Sequence, residues 1–320
     1  MKKPSKKLKE KDRDLWYKKM GDRLKGKVAV VTGSGRGIGR SEALALASEG
    51  AKVVVNDLGS ATNGAGASAS PADQVVTEIK QKGGEAVANY DSVTTLAGGE
   101  NIIKTAANKF GRLDILVNNA GILRDKMIFN MTEEEWDIVL KVHLYGHFFT
   151  TKFACQLFRE QKSGRIINTS STSGLGNMGQ ANYSAAKEGI VGFTRTVARD
   201  MGKYGVTCNA IRPSAATRMT MTDELKAAWK KAGREDLLST VESLNPDDVA
   251  ALVVWLASDA AANVNGRTFF ISTGKVALYS EPVEEKMLVK IGSWTIDDMF
   301  TFMPTTLAAG LINPAPPKKE

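Results

Sequence analysis

Tyr183 and Lys187 stand four residues apart in Tyr-Ser-Ala-Ala-Lys, a spacing that puts both on one face of a helix. A free phenol titrates near pH ~10 and is a weak base at neutrality. A neighbouring ammonium favours the phenolate, so the pair has the makings of a general acid/base for a hydroxyl or a carbonyl. Ser170 and Ser171 lie just upstream, and a serine hydroxyl can hold and orient a reacting oxygen. Alone, such a pair describes any exposed Tyr and Lys on a surface helix. Its weight comes from three other clusters.

The first is Thr32-Gly33-Ser34-Gly35-Arg36-Gly37-Ile38-Gly39. Glycines let a backbone approach a pyrophosphate closely, and a following helix offers free N–H groups and a partial positive charge. Gly33, Ser34, Arg36, Gly37 and Ile38 are the candidate contacts. The second is Asp57, 18 residues after Gly39. A carboxylate there can accept hydrogen bonds from both adenosine ribose hydroxyls and repels a 2′-phosphate, which favours NAD over NADP. Arg36 pulls weakly the other way. The third is Asn118-Asn119-Ala120-Gly121, with Asp91 and Ser92 further upstream where an adenine would lie. Asn side chains hold unusual loop geometry, and Ala120 and Gly121 leave room beside a cofactor.

These residues need a frame. Short, continuously apolar runs (27–32, 53–55, 86–90, 113–117, 165–168, 206–211 and 268–271) read as buried strands. Between them lie helical stretches, including 41–48, 75–80, 102–110, one long helix over 136–159, another over 183–204, and 247–258. Strands alternating with helices predict right-handed βαβ crossovers and an α/β, doubly wound parallel sheet covered on both faces. Asp57, Asp91, Asn118 and the serines all fall at the carboxyl ends of strands, where open parallel sheets bind ligands. The expected organisation is a basic arm over 1–25, one α/β domain over 26–275 and a C-terminal extension over 276–320.

Charge needs locating before it is interpreted. The net charge is +8; 12 of the 43 basic and 4 of the 35 acidic residues fall in residues 1–27, which leaves 31 of each elsewhere. The excess sits in the arm. No basic face or aromatic-basic motif accompanies it, so the arm reads as a solvated extension and not as a nucleic-acid module. There is no apolar run of 18 residues to span a membrane and no apolar h-region near the start. The C-terminal Lys-Lys-Glu matches no retention or peroxisomal address. Cys155 and Cys208 have no metal-like spacing, so no metal is expected, and two reduced thiols fit a cytoplasmic setting.

Taken together, TGSGRGIG, NNAG and YSAAK, in that order and spacing, resemble the short-chain dehydrogenase/reductase family over about Gly26 to Thr273. The resemblance implies a Rossmann-type fold and hydride transfer between a nicotinamide cofactor and a secondary alcohol or ketone. It implies that Tyr183 is the proton donor/acceptor, and that Lys187 lowers its pKa and binds nicotinamide ribose. It also implies a substrate-orienting serine. Anchoring on the strand Arg165-Ile166-Ile167 selects Ser171; counting back from Tyr183 selects Ser170. The family's Pro-Gly after the sixth strand appears as Pro213-Ser214, and Thr217 matches a residue that holds the nicotinamide amide or phosphates. His143 stands where the family has an Asn whose backbone helps hold a relay water; it reads as a packed, satisfied core histidine. Family members commonly form dimers or tetramers through helices that correspond to Phe148–Leu157 and Gly189–Val197, so a homodimer or homotetramer is implied.

Several further segments, among them Val55-Asn-Asp-Leu-Gly59, Val142-His-Leu144 and Gly179-Gln-Ala-Asn-Tyr183, are similar to the dehydrogenase domain of peroxisomal multifunctional enzymes and to bacterial homologues in steroid side-chain breakdown. This resemblance implies a CoA thioester substrate, a 3-hydroxyacyl-CoA oxidised with NAD, with a 17β-type hydroxysteroid as the alternative. Met219–Leu244 falls where the family places its substrate lid. Its Lys226, Lys230, Lys231 and Arg234 are candidate partners for coenzyme A phosphates, or simply a solvated helix face.

Overall fold

A computed structural model describes residues 21–217, 221, 226–227, 231 and 233–315. The chain alternates β1 (Val28–Thr32), α1 (Gly37–Ser48), β2 (Lys52–Asn56), α2 (Ser70–Gln81), β3 (Ala86–Asn89), α3 (Leu96–Phe110) and β4 (Ile115–Asn118). It continues through α4 (Glu133–Leu140), a π-turn (Lys141–Tyr145), α5 (Gly146–Gln161), β5 (Gly164–Thr169), α6 (Ala181–Gly202) and β6 (Val206–Pro213). Then come α7 (Glu235–Glu242), α8 (Pro246–Ala257), β7 (Thr268–Ser272) and β8 (Lys275–Leu278). The strands make one sheet in the order β3-β2-β1-β4-β5-β6-β7-β8, parallel except for the antiparallel β7–β8 pair.

β1 shows why the strands read as unbroken apolar runs. Successive side chains point to opposite faces. Ala29 and Val31 pack with α1, α2 and α8, whereas Val28 and Val30 pack with α3, α5 and α6. All four are at most 1% exposed. A sheet covered on both sides has no polar face to show.

Three expectations change. The single helix over 136–159 is two helices, α4 and α5, joined by the π-turn. An eighth strand was not foreseen: Gly274, at φ 72°, turns the chain back so that β8 pairs with β7. The expected boundary at 275/276 therefore falls inside that hairpin, and the compact unit runs to Tyr279. Most of the basic arm, residues 1–20, lies outside the described residues, as do Lys230 and much of the lid segment.

Ser280–Glu320 forms a second unit. It holds a short helix, α9 (Ile296–Phe302), closed at its start by a Thr295/Asp298 capping box. One oddity belongs to the main unit. Glu42 on α1 is fully buried, neither of its carboxylate oxygens has a partner, and burial pushes its pKa up to about 8. Among the described residues no helix is long and apolar enough to cross a membrane.

Candidate active site

The strand order reverses direction between β1 and β4, and ligands of open parallel sheets bind at such a point. An open cleft of about 1380 Å³ lies there. Its wall includes Gly33, Arg36, Gly37 and Ile38 from the first loop, and Asp57, Asp91 and Ser92 from the ends of β2 and β3. Ala120, Gly121 and Thr217 complete it.

The floor is stitched shut by side chains. The Thr32 hydroxyl accepts from the N–H groups of Asn119 (3.0 Å) and Ala120 (3.1 Å). The Asn119 amide donates back to the carbonyls of Thr32 and Gly33. Gly33 has φ 63°, and a Cβ there would meet the Ala120 Cα at 2.7 Å. Only glycine serves at that contact. Asp57 is aimed by two backbone donors: its carboxylate accepts from Gly35 N–H at 2.7 Å and Gly59 N–H at 2.6 Å. Asp91 accepts from the Asn89 amide at 2.7 Å, and Ser92 pairs with Thr94 at 2.8 Å.

Three expected contacts are not part of the cleft lining. The Ser34 hydroxyl donates inward to Val31 O at 2.7 Å. Asn118 is buried; its amide donates to Asn168 Oδ1 (3.0 Å) and Thr151 (3.1 Å), and its carbonyl accepts from Thr150 (2.6 Å). It ties β4 to β5 and α5. Register explains this, because Asn118 pairs with Asn168 across the sheet. Pro213 ends β6 and does not line the cleft; the N–H of its neighbour Ser214 donates to Ile271 O.

The second group converges on α6. Asn182, wholly buried, donates to the carbonyls of Arg124 (3.0 Å) and Glu135 (2.9 Å) and accepts from Tyr183 N–H (2.7 Å). That fixes the entry of α6 against the loop after β4. The two serines separate cleanly. Ser170 is buried and donates to Lys187 O at 2.7 Å. Ser171 is the one hydrogen-bonded to the Tyr183 side chain. Its backbone carbonyl is held by Arg212 at 3.1 Å, and Arg212 is itself anchored by Glu188 at 2.7 Å.

Lys187 is fully buried, and its Nζ donates to Thr169 O at 2.5 Å, 5.4 Å from the centre of the Tyr183 ring. Burial brings its pKa down to about 7. For Tyr183, burial wins over the Ser171 hydrogen bond, Asp125 adds its negative charge, and the phenol is pushed up to about 12. The expected phenolate is therefore not the resting state of the protein alone: burial favours the neutral form of both partners.

His143 packs edge-on against Tyr183 with ring centres 5.1 Å apart. Its Nε2 lies 2.9 Å from the Ile122 carbonyl, while Nδ1 has no partner. It is packed, as expected, but only half satisfied. Sequence reasoning also passed over His147, which is 2% exposed and four residues on. The one available signal was that these are the chain's only two histidines. In the lid segment, Arg234 pairs with Asp236 at 3.7 Å. Among the described residues no group of three His, Cys, Asp or Glu side chains could hold a metal.

Comparison with known proteins agrees with this geometry. The family model for short chain dehydrogenase matches residues 27–229. The peroxisomal multifunctional enzyme type 2 of Mus musculus is 49% identical over 79% of this chain, which spans about a third (32%) of that longer protein. The hydroxyacyl-CoA dehydrogenase ChsB1 of Mycobacterium tuberculosis is 43% identical over 85% of each chain. A crystal structure of a short chain dehydrogenase from Mycobacterium avium superposes with a TM-score of 0.76 at 42% identity, covering 89% of this chain and 95% of that one. The chain belongs to the short-chain dehydrogenase family and is an oxidoreductase that acts on CH–OH groups.

Proposed function

We propose that this chain oxidises a 3-hydroxyacyl-CoA with NAD, using Tyr183, Ser171 and Lys187. The observation that carries the reading is the Ser171–Tyr183 hydrogen bond beside a buried lysine, at the carboxyl end of the sheet and next to the cleft. The cleft's residues fit a dinucleotide. Gly33 lets the backbone come close, the start of α1 offers N–H groups, and Asp57 presents a carboxylate already oriented by Gly35 and Gly59. That carboxylate suits a ribose diol and repels a 2′-phosphate, which supports NAD over NADP.

Held there by these residues, a nicotinamide would supply hydride transfer to or from the alcohol carbon. Ser171 holds the alcohol oxygen and Tyr183 takes its proton. Lys187, protonated, supports the phenolate that accepts it. Burial holds the Tyr183 phenol up at about 12, and a cationic ring bound beside it would favour the phenolate. The thioester substrate is supported by the hydroxyacyl-CoA dehydrogenase among the relatives, together with the resemblance around Gly179–Tyr183. Pairing of two or four copies belongs to the same reading, supported by Tyr145 and Phe148, which are exposed on the π-turn and α5.

The test is initial-rate formation of reduced nicotinamide. NAD or NADP is supplied with (3R)-hydroxyacyl-CoA, (3S)-hydroxyacyl-CoA or a 17β-hydroxysteroid. Turnover of a 3-hydroxyacyl-CoA with NAD, lost in Tyr183→Phe, is the expected result. Turnover of the steroid alone would replace the thioester with a cyclic alcohol.

A further inference from the structure

The stretch between β2 and α2 closes on itself. Ser68 N–H donates to Leu58 O at 2.9 Å, and Gly59 turns the chain at φ 75°. A Cβ on Gly59 would lie 1.9 Å from Ser68 O, so the two ends of the loop are in contact. A compact loop whose ends meet is an Ω-loop, a form that frequently carries function. Inside it, Ala61 N–H donates to Ala65 O at 2.8 Å and Gly64 N–H to Ala61 O at 2.9 Å, which shapes the tip.

The tip reaches beyond β2. Leu123 N–H donates to Thr62 O at 3.1 Å, and Arg124 Nε donates to Asn63 O at 2.6 Å. The backbone of Gly64 lies on Ile122, where a Cβ would come within 3.2 Å of Cδ1. Ile122, Leu123 and Arg124 follow β4, and β1 stands between β2 and β4 in the sheet. The loop is therefore a strap, running past the carboxyl end of β1 from one bank of the cleft to the other. Ser60, Ala61, Thr62 and Gly64 line the same cleft as Gly33 and Gly37 of the first loop.

The far bank is the fixed one. Arg124 O accepts from the buried Asn182 amide at 3.0 Å, at the start of α6, and Ile122 is buried. On the strap, Asn63 and residues 65–68 are exposed, and Gly66 sits at φ 76° with open space around it. When the two bonds part, the strap is the piece that moves. Arg124 gives a charged donor to a carbonyl, which makes the stronger kind of hydrogen bond. The bond lies at the surface, where water competes for both partners, so it can open and close.

We propose that Arg124 is a positioning residue for the nucleotide: through Asn63 O it latches the strap across the cleft, so that a dinucleotide leaves only when the latch opens. Lid opening of this sort often limits turnover. The inference rests on reading the cleft as the dinucleotide site, and not on the choice between NAD and NADP or on the thioester.

The side-chain nitrogen of Gln stands as many bonds from the backbone as Arg Nε. Arg124→Gln thus keeps the donor and drops the charge, whereas Arg124→Met drops both. Wild type and variants are loaded with NADH or NADPH, whichever the wild type holds, and chased with excess oxidised nucleotide while nicotinamide fluorescence is followed. Release should be about tenfold faster from Arg124→Met, the loss of one charged hydrogen bond. From Arg124→Gln it should stay within about threefold of the wild type. Hydrogen exchange, which needs no nucleotide, should quicken over residues 60–66 in Arg124→Met. A third variant omits 60–67 and joins Gly59 to Ser68, whose backbones already touch. It should release nucleotide at least as fast as Arg124→Met.

Equal release from the wild type and Arg124→Met overturns the latch. So does Arg124→Gln releasing as fast as Arg124→Met, which would make the guanidinium's charge the operative feature. A strapless chain that keeps its nucleotide as long as the wild type does overturns the strap; if that chain fails to fold, the Arg124 pair decides. A wild type that binds neither nucleotide would remove the cofactor reading together with this one.

Discussion

Two buried polar clusters sit on neighbouring strands and helices, and they differ in one respect. In the first, Asn118, Asn168, Thr150, Thr151 and Thr194 satisfy one another across β4, β5, α5 and α6. In the second, Lys187, Thr169, His143 and His147 leave several groups unpartnered around Tyr183. Hydrogen bonds already made hold a shape. Groups left open in a buried place are held ready for something that comes and goes, whether a proton, a water or a substrate oxygen. The contrast separates residues that locate the site from residues that work in it.

The contrast makes opposite demands on mutations. Tyr183→Phe should lower kcat by about 10³-fold, within the range of general acid/base catalysis. Nucleotide affinity and Tm should hardly move, as titration and thermal melts would show. A large fall in Tm would place Tyr183 with the structural cluster instead.

Glu42 extends the comparison to an acid that is open and has no chemistry. Its folded pKa of about 8 lies above the ordinary 4.5. Below pH 4.5 both states carry the proton. Between 4.5 and 8 the unfolded chain loses its proton while the folded chain keeps it, so stability falls as pH rises through this window. Above 8 the full penalty is in place. Glu42→Gln should therefore match the wild type at pH 4 and exceed it by up to about 5 kcal/mol at pH 9. Denaturant curves at the two pH values measure this, and equal differences would break the assignment.

Asn168→Ala removes a residue that bonds Asn118, Thr194 and Cys208. It should cost about 3 kcal/mol of unfolding free energy, because the partners are left buried and unpaired. The kcat of the folded protein should stay within about twofold of the wild type, since Asn168 touches none of the three reacting side chains. A collapse of kcat at unchanged stability would erase the distinction between the clusters. Thr194→Val, which gives up the bond from Asn168 and one to Ile190 O, should cost only about 1–2 kcal/mol.

Most of the fold was legible because both faces of the sheet are covered. Runs such as Val53-Val54-Val55 leave no reading except a buried strand. β8 was illegible for the converse reason. It is an edge strand, largely exposed, and Lys275-Val-Ala-Leu carries no periodic signal. The site was legible as a set of motifs but not in its orientations. Asn118 and Asn119 are identical in sequence, yet one is buried toward Asn168 and the other clamps Thr32 and Gly33. Cross-strand register decides that, and register is not written in either residue. Likewise Ser170 and Ser171 point to opposite sides of one extended segment, so a motif count alone could not choose between them. The raised pKa of Tyr183 was missed because burial is a property of the folded whole.

The π-turn has a consequence that side-chain substitution cannot reveal. A π-turn carries one more residue than the α-helical path it replaces. Deleting any one residue between Lys141 and Tyr145 would let α4 run on into α5 as a regular helix. The flanking helices would keep their orientation, because the turn only absorbs the extra residue, and the side chains within 141–145, His143 among them, would be re-aimed instead. At this point the length of the chain is itself heritable information: an alanine scan of 141–145 would pass over it, and a one-residue gap in a relative's sequence would mark a differently built site.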